Sequence, residues 1–256
     1  MIKFVLQNKF LFKKTIKIIL MNDIIQELMN DKNKKGISLT TNNIIPISKN
    51  IIDIDPVPMF IKKISDYEEI NEFLCNITSN ETKDSNLFIK NNQDPNKKNI
   101  LFTSQNAYVP LNNVLDIDHS LIEKLKSNIF IGIKEILNLY YSTNQKFKLD
   151  ITNSWIQKFK NGTFLSPHNH LTSNMVSGKH YYSLAYYIDD GDPDTKQTFS
   201  GCVSFMINNK LFHVRPKPGL LVIWESKLIH LVNPFFSKSD KDRFMLSCNI
   251  SVEVAQ

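Results

Sequence analysis

The sequence predicts a mainly β protein with N-terminal helices, an antiparallel sandwich or barrel whose outer face a helical layer covers. Three observations predict it. Beyond about residue 150, short apolar runs alternate with turn signals, and no helical period separates them. Five of the seven glycines (Gly162, Gly178, Gly191, Gly201 and Gly219) fall in that stretch. Before it, two segments carry N-capping sequences followed by apolar residues at helical spacing.

Taken in order, residues 1–20 carry five lysines and no acidic residue. They read either as an amphipathic targeting or membrane-surface helix, or as sequence lying upstream of a start at Met21. Residues 22–55 are polar, rich in Asn and Lys and without sustained periodicity, so residues 1–55 together are expected to form a mobile N-terminal arm. The Pro56-Val57-Pro58 punctuation ends it. The capping box Ser65-Asp66-Tyr67-Glu68 opens a short helix whose apolar residues are Ile70, Phe73 and Leu74. Residues 79–100 read as a loop. A second box, Ser120-Leu121-Ile122-Glu123, opens a long helix with Leu121, Leu125, Ile129, Ile133, Ile136, Leu137 and Tyr140 on its buried face. Candidate strands follow at Asn153–Phe159, His180–Ile188, Cys202–Ile207, Leu211–Val214, Leu220–Trp224, Ile229–Val232 and Phe244–Val252. Residues 56–253 are therefore expected to form one domain, with 56–150 as a helical support layer and 151–253 as its β core.

Composition narrows the function. The chain has 256 residues with 42% hydrophobic and 22% charged, close to globular averages, which excludes wholesale disorder, collagen and coiled coil. Cys75, Cys202 and Cys248 form no CxxC pair and no disulfide framework, which excludes zinc ribbons and stapled secreted scaffolds and predicts a soluble, cytoplasmic protein. No apolar run reaches the ~18 residues of a membrane span. The net charge of +6 raises the possibility of a nucleic-acid partner. Yet only Arg215 and Arg243 are arginine, and no basic cluster interleaves with aromatics, so nucleic acid is disfavoured and the scattered lysines read as solvated surface.

The chemistry is concentrated in a few residues. His168-Asn169-His170 follows Pro167 in an extended stretch, where residues i and i+2 point to the same side and permit two imidazoles to meet one metal. Two surface histidines flanking a loop is the commoner reading of an isolated pair. Beyond it, a buried strand from Gly219 to Trp224 leads through a turn to His230. Arg243 then opens the last strand, where it shares a face with Met245, Ser247 and Asn249. A guanidinium beside a hydroxyl on a barrel interior suits a bidentate carboxylate clamp. The competing reading is a surface ion pair with Asp240 or Asp242. His213 and His119 read as structural, and Asp189–Asp194 reads as an acidic hairpin loop that could contact a basic substrate.

The ordered set resembles the Fe(II)- and 2-oxoglutarate-dependent oxygenases of the marine bacterial and phage type, within the prolyl-hydroxylase-like superfamily. The matching elements are Trp155 with Gly162, His168-Asn169-His170, Ser183-Leu-Ala-Tyr-Tyr187-Ile, Gly201-Cys-Val-Ser-Phe205, Gly219–Trp224, His230, and Arg243 with Ser247 and Asn249. The earlier Ser104-Gln105-Asn-Ala-Tyr108 is similar to a further stretch of that family, so the resemblance covers roughly residues 56–253.

The resemblance implies a double-stranded β-helix, or jelly roll, flanked by the helical layer, with Fe(II) held by His168, His170 and His230. His170 stands where most of the wider superfamily has an aspartate, so the metal face is three imidazoles rather than the usual two-His, one-carboxylate set. Three imidazoles also suit zinc. It further implies 2-oxoglutarate as cosubstrate, its distal carboxylate held by Arg243 with help from Ser247 and from Tyr182 or Tyr187. His180, Trp155 and Asn249 would line the substrate pocket. The implied activity is hydroxylation of a small-molecule or protein substrate with release of succinate and CO2. Two alternatives stay open on the same barrel: a three-His, cupin-like metalloprotein that does not use 2-oxoglutarate, and a non-catalytic jelly-roll binding module.

Overall fold

The computed structural model of the protein describes residues 45–48, 51–54, 57–79, 107–142, 144–171 and 175–255. The N-terminal segment 1–20 and Ser104 to Asn106 lie outside those residues, as does most of the expected 79–100 loop. Among the described residues, twelve strands form two antiparallel sheets. The larger runs β1 (Ile45–Ser48), β2 (Ile51–Ile54), β3 (Val57–Lys63), β10 (Leu220–Glu225), β7 (Lys179–Asp189), β12 (Arg243–Val254), β5 (Phe147–Phe159), β4 (Ala107–Asn112) from edge to edge. The smaller runs β6 (Leu165–His168), β11 (His230–Val232), β8 (Val203–Ile207), β9 (Lys210–Val214).

All seven expected strands are present, within one or two residues at most ends; β5 begins earlier, at Phe147. Four others were not anticipated as strands: β1 and β2 inside the expected arm, β3 across the proline punctuation, and β4 before the long helix. Pro58 is tolerated because it lies at the start of β3, before the stretch Phe60–Lys63 that pairs with β10, so on that side no ladder bond needs its missing N–H. The stretch before His170 was anticipated only as extended, and it forms β6.

Alternation along the central strands divides the core in two. On β7, Tyr182, Leu184, Tyr186 and Ile188 face the helices, whereas Ala185 and Tyr187 face the small sheet. On β10, Leu221 and Ile223 face the helices, whereas Leu220, Val222 and Trp224 face the small sheet. The helical layer comprises α1 (Tyr67–Ser79) and α2 (Ser120–Leu137). Buried Asn71 on α1 donates to the Ile188 carbonyl at 2.6 Å and accepts from the Tyr186 hydroxyl at 2.6 Å, which fixes the helix on β7. On α2, Gly132 lets the helix approach closely, since a Cβ there would lie 2.7 Å from Phe60 and Ile223.

Two details of the helices differ from the sequence expectation. His119, not Ser120, caps α2: its Nδ1 accepts from the Leu121 N–H at 3.2 Å, and its ring stacks on Phe73. Tyr140 lies past the last helical residue and is exposed, because α2 ends at Leu137.

The turn before β10 uses Gly219, whose φ of +80° is left-handed. Its N–H donates to the Tyr187 carbonyl and its own carbonyl accepts from Ile64, so it ties β10 to the ends of β7 and β3. A Cβ at this position would lie 2.6 Å from the Tyr67 Cβ, inside van der Waals contact. Gly219→Ala is therefore expected to destabilise the fold by ~1–3 kcal/mol, combining left-handed strain with displacement of Tyr67. Urea unfolding measures this, and an unchanged midpoint would contradict the role given to the turn.

Candidate active site

The site lies between the sheets, where β6 and β11 run side by side. His168 and His230 are directly paired in the antiparallel register of these strands, so their rings project from one face. His170 follows just beyond β6, and its backbone N–H is held by the Ser226 carbonyl at 2.9 Å. A ligand atom of each imidazole lies within 4.8 Å of the other two. The ring centroids are 4.3 Å apart for His168 and His230, 5.0 Å for His170 and His230, and 5.3 Å for His168 and His170.

The hydrogen bonds determine which nitrogen faces the centre. His168 Nδ1–H donates to the Ser166 carbonyl at 2.7 Å, and His230 Nδ1–H donates to the Leu228 carbonyl at 3.0 Å. Carbonyls only accept, so these contacts place the proton on Nδ1 and leave the Nε2 lone pair for a metal. His170 Nδ1 meets the Asn249 Oδ1 at 2.6 Å. Burial and the two neighbouring imidazoles push the His230 pKa down to about 3, and burial lowers that of His170. Trp224 and Phe205 wall His230, with ring centroids 4.9 and 5.9 Å from its own, and they pack on each other at 5.0 Å. Three clustered imidazoles, one of them buried against aromatic rings, are ready ligands for a divalent metal.

Deeper in the same interlayer space sits Arg243. It is fully buried, with its guanidinium 4.6 Å over the Phe159 ring and 5.2 Å from the Tyr187 ring. Nη2 donates to the Met245 Sδ at 3.4 Å, while Nε and Nη1 have no partner. Tyr187 carries a buried hydroxyl that is likewise unpartnered. Gly201 leaves room for the guanidinium, because a Cβ there would lie 3.1 Å from Nη1. The surface ion-pair alternative is excluded: Arg243 has no exposure, and Asp242 pairs with Lys158 at 2.6 Å. A buried guanidinium and a buried phenol with idle N–H and O–H groups leave several kcal/mol of desolvation uncompensated. A carboxylate is the complement of that donor set, so the residues fit the distal end of 2-oxoglutarate.

The other expected site residues are distributed unevenly. Ser247 lies on the Arg243 face, but its Oγ donates to the Gln157 Oε1 at 3.2 Å. Tyr182 does not reach the site, since strand parity turns it into the helical-side core, the opposite face of the sheet from Tyr187. His180 shares that parity and bonds to the Tyr141 hydroxyl at 2.5 Å, away from the three histidines. Trp155 does stand near His170, with centroids 6.1 Å apart. Asn249 is behind His170 rather than in an open pocket. Gln157, Ser183, Ser226 and Trp224 were not singled out. The alternation Trp155, Gln157, Phe159 on β5 would have found Gln157, whereas Ser226 carries no signal in the sequence.

Residues 153–249 match the family described as "Putative 2OG-Fe(II) oxygenase", rather less than half of the chain. Among curated proteins, no relative matches. Among solved structures, a prolyl-4-hydroxylase from Pseudomonas putida superposes with a TM-score of 0.50 at 12% identity, covering 80% of this chain and 96% of that one. The viral collagen prolyl hydroxylase of Paramecium Bursaria Chlorella virus-1 gives 0.46 at 15% identity, with coverages of 75% and 95%. The first of these likenesses shows a shared fold. By the family match, residues 153–249 are similar to the 2OG-Fe(II) oxygenases, a family named for 2-oxoglutarate and Fe(II).

With one ring nitrogen of each histidine within 4.8 Å of the other two, His168→Ala and His230→Ala are each expected to abolish iron retention and leave the protein folded. Metal analysis after anaerobic Fe(II) loading, with circular dichroism, measures both. Normal iron content in the two variants would remove the metal centre.

Proposed function

We propose that the protein hydroxylates a substrate C–H bond while converting 2-oxoglutarate to succinate and CO2. In this reading His168, His170 and His230 hold the metal through Nε2. Arg243, with the Tyr187 hydroxyl, takes the distal carboxylate. The observation that carries it is the coincidence of two features in one interlayer space: three clustered imidazoles, and a buried guanidinium with idle donors. A three-histidine barrel without an anionic cosubstrate has no use for the second.

When bound, the iron supplies oxygen activation, with one oxygen atom entering succinate and the other the substrate. The chain's own share is binding, orientation and exclusion of water. The guanidinium fixes the direction in which 2-oxoglutarate lies, and Trp224, Phe205 and Phe159 keep the space between metal and anchor dry. A cleft of about 480 Å³ is lined by Tyr140, Tyr141, His180 and Tyr181 with Lys179, Glu225 and Lys227. Its remaining wall is Leu171, the residue next to His170, so this reading brings the substrate in along the cleft.

Among the described residues, no helix is long and apolar enough to cross a membrane. With three cysteines unpaired, we place the enzyme in the reducing cytoplasm.

Replacing Arg243 by lysine keeps the charge but loses the fork, so one hydrogen bond to the carboxylate replaces two. Charge-assisted bonds contribute ~1.5–3 kcal/mol each, so Arg243→Lys is expected to weaken 2-oxoglutarate roughly tenfold to a hundredfold. Arg243→Ala is expected to weaken it further. Metal binding should be unchanged in both, because no ligand is touched. Calorimetric titration of 2-oxoglutarate into the Fe(II) protein under nitrogen measures this. Equal binding by all three proteins, or by none, would end the oxygenase reading.

A further inference from the structure

His170 is the unusual member of the site, an imidazole at the place where a carboxylate is common. It is also the one whose Nδ1 is not tied to a backbone carbonyl two residues earlier. Its partners are side chains. Nδ1 lies 2.6 Å from the Asn249 Oδ1 and 3.0 Å from the Ser183 Oγ. Ser183 Oγ donates to the same Asn249 Oδ1 at 2.8 Å and meets the Ser226 Oγ at 2.8 Å. Ser183 and Ser226 are buried, and Asn249 is half-buried.

The proton directions along this chain are mutually consistent. Ser183 has one proton, given to Asn249, so its oxygen accepts from Ser226. Asn249 Oδ1 then accepts twice, from Ser183 and from His170 Nδ1–H. The His170 proton is thereby held on Nδ1, and the Nε2 lone pair is free, as in His168 and His230. If the Asn249 amide were reversed, its NH2 would donate to Nδ1 and force the proton onto Nε2, where it would block a metal.

We propose that Asn249 is a positioning residue that makes His170 a metal ligand, with Ser183 and Ser226 holding its amide in the accepting orientation. The proposal rests on the metal-centre reading above. Three elements converge to build it: β12 supplies Asn249, β7 supplies Ser183, and the β10–β11 turn supplies Ser226. Asn249 and Ser183 are directly opposite each other in the β12–β7 register. Ser226 also holds the His170 backbone through its carbonyl, so one residue fixes both the ring's anchor and its proton.

Co(II) titration of the full chain, followed by its visible absorption, tests this without turnover. Asn249→Ala is expected to weaken Co(II) by ~10- to 100-fold, the usual effect of removing a partner behind a ligating histidine. Asn249→Asp restores an acceptor and is expected to bind at least as tightly as wild type. In a His170→Ala background, Asn249→Ala should cause no further loss, which a merely structural role would not reproduce. Ser183→Ala leaves Asn249 in place and is expected to weaken Co(II) about two- to tenfold, which keeps a test in hand if Asn249→Ala fails to fold. Unchanged or tighter binding by Asn249→Ala, or an equal loss with and without His170, would overturn the proposal. A wild-type chain that takes no Co(II) would remove the metal centre itself, and this proposal with it.

Discussion

Strands of three and four residues have few hydrogen bonds of their own, yet the site hangs on one such pair. β11 is held because it lies between β6 and β8, and its pairing sets His230 opposite His168. Side chains alternate along a strand, so a slip of one residue in this register would send one imidazole to the outer face. The three-histidine cluster is therefore a consequence of register. The carbonyls that orient the rings, Ser166 for His168 and Leu228 for His230, lie two residues back on the same chain segments.

A second constraint runs in depth. β12 is the longest contact surface of the large sheet, paired with β5 on one side and β7 on the other. Its inward parity carries Arg243, Met245, Ser247 and Asn249 in succession along one face. Asn249 thus stands at the three-histidine end, behind His170, and Arg243 stands farther down the strand. The distance between the two tasks is set by strand rise, ~3.3 Å per residue. A rigid central strand is suited to this, because its neighbours on both sides fix it.

Strand parity also explains what was legible in the sequence. The order of turns and apolar runs gave the strand set of the barrel, and the HxH pair, His230 and Arg243 could be named from their positions on it. Tyr182 and Tyr187 could not be separated, since a strand buried on both faces shows no polar alternation to reveal which side is which. The structure separates them: Tyr187 faces Arg243, and Tyr182 faces the helices. His119 was obscured because Ser120-Leu121-Ile122-Glu123 satisfies the capping pattern one residue late. Ser226 was invisible because its role depends on a contact between segments distant in sequence, whereas Ser183 and Gln157 were legible as strand residues but not as partners of Asn249 and Ser247. The strands β1 to β4, at and near the two edges of the large sheet, lacked any period long enough to register.

The central claim is that one interlayer space holds a three-imidazole metal centre at its mouth and a carboxylate anchor below. Anaerobic addition of Fe(II) and then 2-oxoglutarate, monitored by visible absorption, tests it most directly. A weak charge-transfer band should appear only when both are present, and it should be lost in His230→Ala. Absence of the band from the wild-type protein with both added, at concentrations that saturate iron, would contradict the account.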